Sequence, residues 1–521
     1  MQLANLDFAV LAAYVVGLMF LAYYVSREKA GHDKNTDDYF LAGHSLPWWA
    51  IGASLVASNI SAEQIIGMSG SGYAIGLAIA SYEWMAAITL IIVGGFFLPV
   101  FLKRKIYTMP QFLQQRYDSR VRLIMALFWL AVYVFVNLTA VLWLGALAVN
   151  TMTGLSLELS MLLLALLAMA YSLYGGLKAV AFTDIVQVVL LVIGGLILSF
   201  IALNMLGDGS GVVAGFSRLT TELPEKFDMI LSPDSPHYAS LPGISVLVGG
   251  MWVMNLSYWG FNQYIIQRAL AAQSLNEARK GIAFAAFLKL LMPILVVLPG
   301  IAAVILVPDL AKPDQAYPHM MALMPIGLKG LIFAALVAAI LSSLASMTNS
   351  ISTIFTMDLY AQAKPDRTQH HYVKVGRIAS FVAMIVALIT AKPLLGDSEQ
   401  AFQFIQEFTG FFTPGIVVLF LLGLFWKKAT AAGAICAAVG SFVLSLVFKF
   451  AWPELPFMDR VGVVFLACFA LAVMVSLLDK NAGEQPNAVQ LDGIDFSASV
   501  SYKLCTVIIT LILIGLYTVW W

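Results

Sequence analysis

Apolar runs of about 20 residues follow one another along almost the whole chain, and no other feature limits its fold so severely. They fall at approximately 8–26, 47–73, 77–102, 123–149, 157–174, 181–205, 244–267, 281–306, 330–360, 372–391, 400–425, 430–449, 461–478 and 503–520. A helix of that length crosses a hydrocarbon core of about 30 Å, and helices and closed barrels alone leave no backbone group unpaired in lipid. The 521 residues are 61% hydrophobic and 11% charged, against roughly 25% charged in a soluble domain. The expectation is an all-α polytopic membrane protein with about fourteen transmembrane helices in the lipid bilayer. The polar stretches near 206–243 and 479–500 are too short for a soluble domain, which argues against an enzyme working in water.

Net charge is zero, which gives no reason to expect a nucleic acid as partner. The distribution of charge is more informative. Of the 29 Lys and Arg residues, 21 fall in alternate loops on one side, seven on the other, and Lys289 within a span. The positive-inside rule then puts both termini on the non-cytoplasmic face of the cell membrane. The first run has no basic segment before it and no small-residue cleavage site after it, so it reads as a retained helix. Cys436, Cys468 and Cys505 all lie in apolar runs and suggest neither a disulfide framework nor a metal site. No phosphate-loop or H-E-x-x-H pattern is present, so ATP-driven transport and an organic cofactor are not expected.

Two apolar runs are interrupted by polar residues. SLVASNISAEQIIGMSGSGYAIG, Ser54 to Gly76, carries Asn59, Ser61, Glu63 and Gln64. GGMWVMNLSYWGFNQY carries Asn255, Ser257, Tyr258, Asn262 and Gln263 between Gly249-Gly250 and Gly260. Broken helices survive in a membrane where they line a protein cavity, and a matching pair in two halves marks a transporter's binding site near the bilayer midplane. The two runs open five-helix blocks, 47–205 and 244–425, that begin in opposite directions, the topology of an inverted repeat. For Gly70, Gly72 and Gly76 alone, tight helix contacts are an equal reading.

Ionisable groups inside spans are functional candidates, and here they are Glu63, Glu83, Asp184, Lys289 and Glu407. Asp184 reads either as functional or as interfacial, Glu407 as paired with a neighbouring helix or in a polar crevice, and Glu83 with Lys289 as functional or as a structural ion pair. In ALVAAILSSLASMTNS, Ala339, Ser342 and Ser343 stand at i, i+3 and i+4 and share one helix face. With carbonyls freed at Ala57 and Ile60 they would offer the oxygens that a hard cation such as sodium wants. Back-bonding or packing of the two serines is the competing reading. Gln64, Glu83, Asn255, Lys289 and Gln406, flanked by Tyr82, Tyr258, Trp259 and Phe402, offer many hydrogen bonds and aromatic faces without one dominant charge. That set suits a neutral polyhydroxylated ligand such as a sugar. A carboxylate substrate would recruit an arginine, and every arginine reads as lying outside the spans.

The stretches TDDYFLAGHSLPWWAIGASLVASNISAEQIIGMSGSGYAIGLAIASYEWM, VNLTAVL, YSLYGGLKAVAFTDIVQ, NLSYWGFNQYIIQRALAA, AALVAAILSSLASMTNS, FIQEFTG and LLGLFWKKATAAGA cover almost the whole chain. Together they resemble the solute:sodium symporter family, and the NQYIIQR run its sugar branch. The resemblance implies a LeuT-type fold of five plus five helices in inverted repeat, with one helix before (8–26) and three after (430–520). It implies sodium-coupled symport of a monosaccharide, galactose or glucose, in a bacterial inner membrane, with sodium as coupling ion. By position it implies that Gln64, Glu83, Asn255, Lys289 and Gln406 hydrogen-bond the sugar. It also gives Tyr258 stacking on the sugar beside Trp259, an outer gate of Met68, Tyr82 and Phe402, a sodium site at Ala57, Ile60, Ala339, Ser342 and Ser343, and Asp184 on the sodium exit route. Glu63 and Asn137 fall in the same neighbourhood.

Two departures from the family pattern bear on selectivity and stoichiometry. Where the galactose member has a serine one turn after the sugar-contacting glutamate, this chain has Ala86. Where two-sodium members have a further hydroxyl after the serine pair it has Ala345, so one sodium per sugar is expected. Polyol, sialic acid or proline symport, a proton-pumping respiratory subunit and a homodimeric assembly are the further readings that the sequence leaves open.

Overall fold

The computed structural model describes residues 3–26, 44–106, 108–174, 177–398, 400–480 and 482–521. The TDDYFLAG run, Gly175-Gly176 and the basic Arg27, Lys29 and Lys34 lie outside these. Among the described residues the architecture is helical throughout, apart from one parallel bridge between Leu46 and Ala272. Nine helices among the described residues are long and apolar enough to cross a membrane, or ten if Ala401–Thr409 and Thr413–Phe425 form one span bent by 47°. That bend follows from Gly410 and from Pro414 in the first turn of the second piece, where proline's missing amide does no harm. Apolar helices at Asn5–Leu18 and Leu157–Ala170 are shorter.

The two polar runs are interrupted helices. The first is helical over Trp48–Asn59 and leaves the helical conformation at Ile60, where ψ reaches 88°. It resumes through a wide turn at Glu63–Gly67 and ends as Met68–Ala74. The last carbonyls of Trp48–Asn59 are thereby left without a following turn to pair them. The second run is helical over Gly250–Leu256, widens at Ser257–Phe261, turns extended at Asn262 (φ −78°, ψ 125°) and resumes as Gln263–Leu270. The break thus falls at Asn262.

Helix Trp48–Asn59 is buried from Ala50 to Asn59. It crosses Leu275–Met292 at a pair of glycines, where a Cβ on Gly52 would lie 2.6 Å from the Gly281 carbonyl and one on Gly281 would lie 2.8 Å from that of Trp48. Small residues let two backbones meet where lipid offers no hydrophobic drive. The later glycines of the run serve the same purpose. A Cβ on Gly70 would come within 2.4 Å of Asp314 and one on Gly72 within 2.8 Å of the Val297 carbonyl, while Gly76 adopts a φ of +107° against Lys226. The three cysteines are free thiols.

Candidate functional site

A cavity opens where the two interruptions face each other. Its wall includes Asn59, Glu63 and Gln64 from the first break and Asn255, Tyr258, Trp259 and Asn262 from the second. Tyr82 and Glu83 come from Ser81–Ile92, Asn137 from the widened turn Tyr133–Leu138, and Phe402, Gln406 and Thr409 from Ala401–Thr409. With its open mouth, solvent space included, it encloses about 820 Å³ free of atoms. Gln64 Oε1, Tyr82 Oη, Asn137 Oδ1 and Thr409 Oγ1 are buried and have no hydrogen-bond partner. A buried polar atom without a partner is unfavourable by about 1–3 kcal/mol. Four such atoms around one cavity describe a site that a hydroxylated ligand would satisfy.

The charges of this region are handled within the protein. Lys289 is fully buried, donates to Glu83 Oε2 at 2.6 Å and to Asn59 Oδ1, and lies 4.8 Å from the centre of the Trp259 ring. It stands behind the cavity wall, so the structural ion pair with Glu83 is present and the ammonium reaches the cavity through Glu83 and Asn59. Asn59 also donates to Tyr258 Oη at 3.0 Å, which in turn meets Tyr264 Oη at 2.8 Å. Tyr133 Oη donates to Asn262 Oδ1 at 2.7 Å. A single hydrogen-bonded chain therefore runs from Glu83 through Lys289, Asn59 and Tyr258 to Tyr264, joining both breaks.

At one end of the cavity Tyr82 and Phe402 meet edge to face, with centroids 5.1 Å apart and planes at 88°. Met68 is fully buried and is not part of the cavity wall. Ala57, Ile60, Ala339, Ser342 and Ser343 are all buried, and Ser343 Oγ lacks a partner. Ser342 Oγ donates to Asp184 Oδ1 at 2.6 Å and Ser54 Oγ to Asp184 Oδ2 at 3.0 Å. Asp184 is 0% exposed. The donor set fits a hard monovalent cation such as sodium, with oxygens from two hydroxyls and the carbonyls of an interrupted helix.

Residues 39–440 match the sodium:solute symporter family. The chain belongs to that family. It is 50% identical to the sodium/glucose cotransporter of Vibrio parahaemolyticus, over 100% of this chain and 99% of that one. It is 34% identical to sodium/glucose cotransporter 4 of Danio rerio, over 85% of this chain and 71% of that one. Among solved structures, a Na+-coupled sialic acid symporter in a substrate-bound outward-open state aligns with a TM-score of 0.80 at 25% identity, covering 92% of this chain and 100% of that one. Family membership makes the chain a symporter, not an enzyme, and removes the respiratory-subunit reading.

One expectation about charge is corrected in this symporter, and one of two open readings is selected. Arg268, read as a loop residue, is 2% exposed inside helix Gln263–Leu270. It points to Asp184, at 3.9 Å, and away from the sugar cavity. Glu407 takes the paired reading, held by Lys449 at 2.9 Å and Arg460 at 3.0 Å outside the cavity. The connecting role of Asn59 and the contributions of Tyr133, Tyr264 and Thr409 were not expected. Asn59 had a signal, being an amide in an apolar run one position before the break. Tyr133 and Tyr264 had none, because an apolar helix with one tyrosine reads as core.

Proposed function

We propose that this symporter carries a neutral monosaccharide, galactose or glucose, into the cell together with sodium, by alternating access between the two faces of the membrane. The observation that carries the substrate class is the cavity, where unpartnered Gln64, Tyr82, Asn137 and Thr409 atoms face aromatic rings while Lys289 is neutralised by Glu83. Hydroxyls of a pyranose would pair those atoms, with Asn255, Gln406 and the Glu63 and Glu83 carboxyls completing the set. Tyr258 and Trp259 would stack on the ring's apolar face. The cavity wall contains no arginine, which disfavours sialic acid and proline, both of which bear carboxylates.

In this reading the nine or ten long helices, the shorter apolar ones and the two interrupted ones make about fourteen spans. They are arranged as 8–26, an inverted pair 47–205 and 244–425, and 430–520, with both termini outside. Met68, Tyr82 and Phe402 form the outer gate. Tyr258, tethered to Asn59, closes the other side. One sodium binds at Ala57, Ile60, Ala339, Ser342 and Ser343, and leaves past Asp184. Sodium pins the carbonyls of the first break and so orients Gln64, and sugar must then favour sodium binding by the same factor.

Competition decides the substrate. Unlabelled galactose and glucose should suppress uptake of labelled galactose into proteoliposomes, and a polyol, sialic acid or proline should not. Stronger suppression by any of the last three would move the substrate elsewhere in the family.

A further inference from the structure

Arg268 is a buried cation that neither the sugar cavity nor the sodium residues account for. Its Nε donates to Ser54 Oγ at 3.2 Å, on helix Trp48–Asn59. Its Nη2 donates to Ser346 Oγ at 3.2 Å, on Leu328–Thr353, and lies 3.9 Å from Asp184 Oδ2, on Leu177–Leu206. Its Nη1 donates to the carbonyl of Tyr264 on its own helix. The guanidinium thus joins the interrupted pair of helices to two others.

The level at which it does so matters. Ser54 stands one turn before Ala57, and Ser346 one turn after Ser342 and Ser343. The first break leads through Gly67 to Phe402, and Leu328–Thr353 begins next to the loop that carries Asp314, so both displacements run away from the Tyr82–Phe402 contact. The guanidinium therefore caps the group of sodium residues at the end remote from that contact. Neutralising Asp184 would need one contact, which a lysine could make. A planar fork that also spans Ser54 and Ser346 holds three helices at fixed separation.

We propose that Arg268 is the latch on the inner sodium route, a positioning residue that must release Asp184 before sodium can leave toward the cytoplasm. The proposal rests on the sodium site proposed above. While the fork bridges Ser54, Ser346 and Asp184, helix Trp48–Asn59 is held against the two helices that carry Asp184 and Ser342, and the route past Asp184 is stoppered by a resident cation. When the interrupted helices swing, the fork loses Ser54 and Ser346 together, and Asp184 is left as the carboxylate beside which sodium moves out.

The test is sodium efflux from proteoliposomes loaded with labelled sodium, without sugar on either side. Arg268→Lys keeps the charge and loses the fork. The double variant Ser54→Ala with Ser346→Ala removes both hydroxyls that the fork bridges and leaves the Arg268–Asp184 charge pair in place. Both should leak sodium at least about fivefold faster than the parent protein, the lower end of typical coupling factors, while equilibrium exchange of labelled galactose shows that each is folded. Efflux at the parent rate in either folded variant overturns the latch, and if the double variant does not reach the membrane the lysine variant decides. Failure of the sodium site is a separate result, seen when Ser343→Ala leaves the sodium concentration for half-maximal uptake unchanged.

Discussion

Lys289 decides how the centre of the site is charged. Its ammonium has a carboxylate at 2.6 Å and an amide and an indole face around it, so it serves the cavity by holding Glu83 and Asn59 in place. Removing one partner of a buried pair leaves an uncompensated charge, a loss of about 3–5 kcal/mol, whereas removing both is close to neutral. Lys289→Met should therefore lower the melting temperature in detergent, and Lys289→Met with Glu83→Gln should recover it without recovering sugar uptake. A single variant as stable as the parent would show that the pair is not held as described. Gln64→Ala removes an acceptor that has no protein partner. It should weaken sugar uptake severely, by the 1–3 kcal/mol or so of an unmade buried hydrogen bond, read as a rise in KM. Ser343→Ala should raise the sodium needed for half-maximal rate and leave sugar contacts intact. Gln64 and Glu83 were legible as cavity residues in the sequence because polar groups in an apolar run are unfavourable enough to demand a reason. Arg268 was not, since its position near a run's end reads as a loop, and its burial depends on a helix resuming after Asn262.

At the scale of elements, the loop between Leu275–Leu306 and Leu328–Ala363 works as a clasp between the first interrupted helix and Ala401–Thr409. Asp314, 2% exposed, accepts from the Ala401 amide at 3.0 Å and lies against Gly70, while Lys312 donates to the Gly396 carbonyl at 2.6 Å. A Cβ on Gly70 would meet Asp314's own Cα at 2.7 Å and its nitrogen at 2.8 Å, backbone atoms that a side-chain rotation does not clear. Gly70→Ala should push the clasp off the first interrupted helix. The expected readout is faster thiol labelling of a cysteine placed at Gln400, and an unchanged rate would contradict the contact. Burial raises the Asp314 carboxyl from 3.8 to about 7, with the Ala401 amide and then Lys312, the one charge that bears on it, pulling it part of the way back. A native value above the unfolded one means that the clasped state holds its proton more tightly. Its contribution is complete below about pH 4 and is lost as pH rises through about 7. Asp314→Asn should abolish that dependence. The melting temperature of the parent relative to this variant should fall between pH 4 and pH 8, and a difference constant with pH would refute it. The sequence showed this loop only as a polar gap between apolar runs, because a clasp is made by contacts between distant segments, with no local pattern to reveal it.

For the whole molecule, the apolar runs and their two interruptions were readable because lipid permits so few backbone solutions. The breaks themselves were located only approximately. In the second run Asn262 takes the extended conformation, since a wide turn at Ser257–Phe261 carries the helix past Gly260. The energetics of the proposed cycle are sufficient for accumulation. One charge moving through about 100 mV supplies about 2.3 kcal/mol, and a tenfold sodium gradient adds about 1.4 kcal/mol. One sodium per sugar would then sustain a several-hundred-fold sugar gradient. A flux ratio of two sodium ions per sugar would require a second cation position, which Ala345 argues against. The central claim is tested by uptake of labelled galactose, then glucose, into proteoliposomes that contain only this protein, under an inward sodium gradient and with potassium in its place. Accumulation above equilibrium that disappears when potassium replaces sodium is the predicted result. Sugar flux that only equilibrates, or that is the same in potassium, would contradict sodium-coupled symport by this chain.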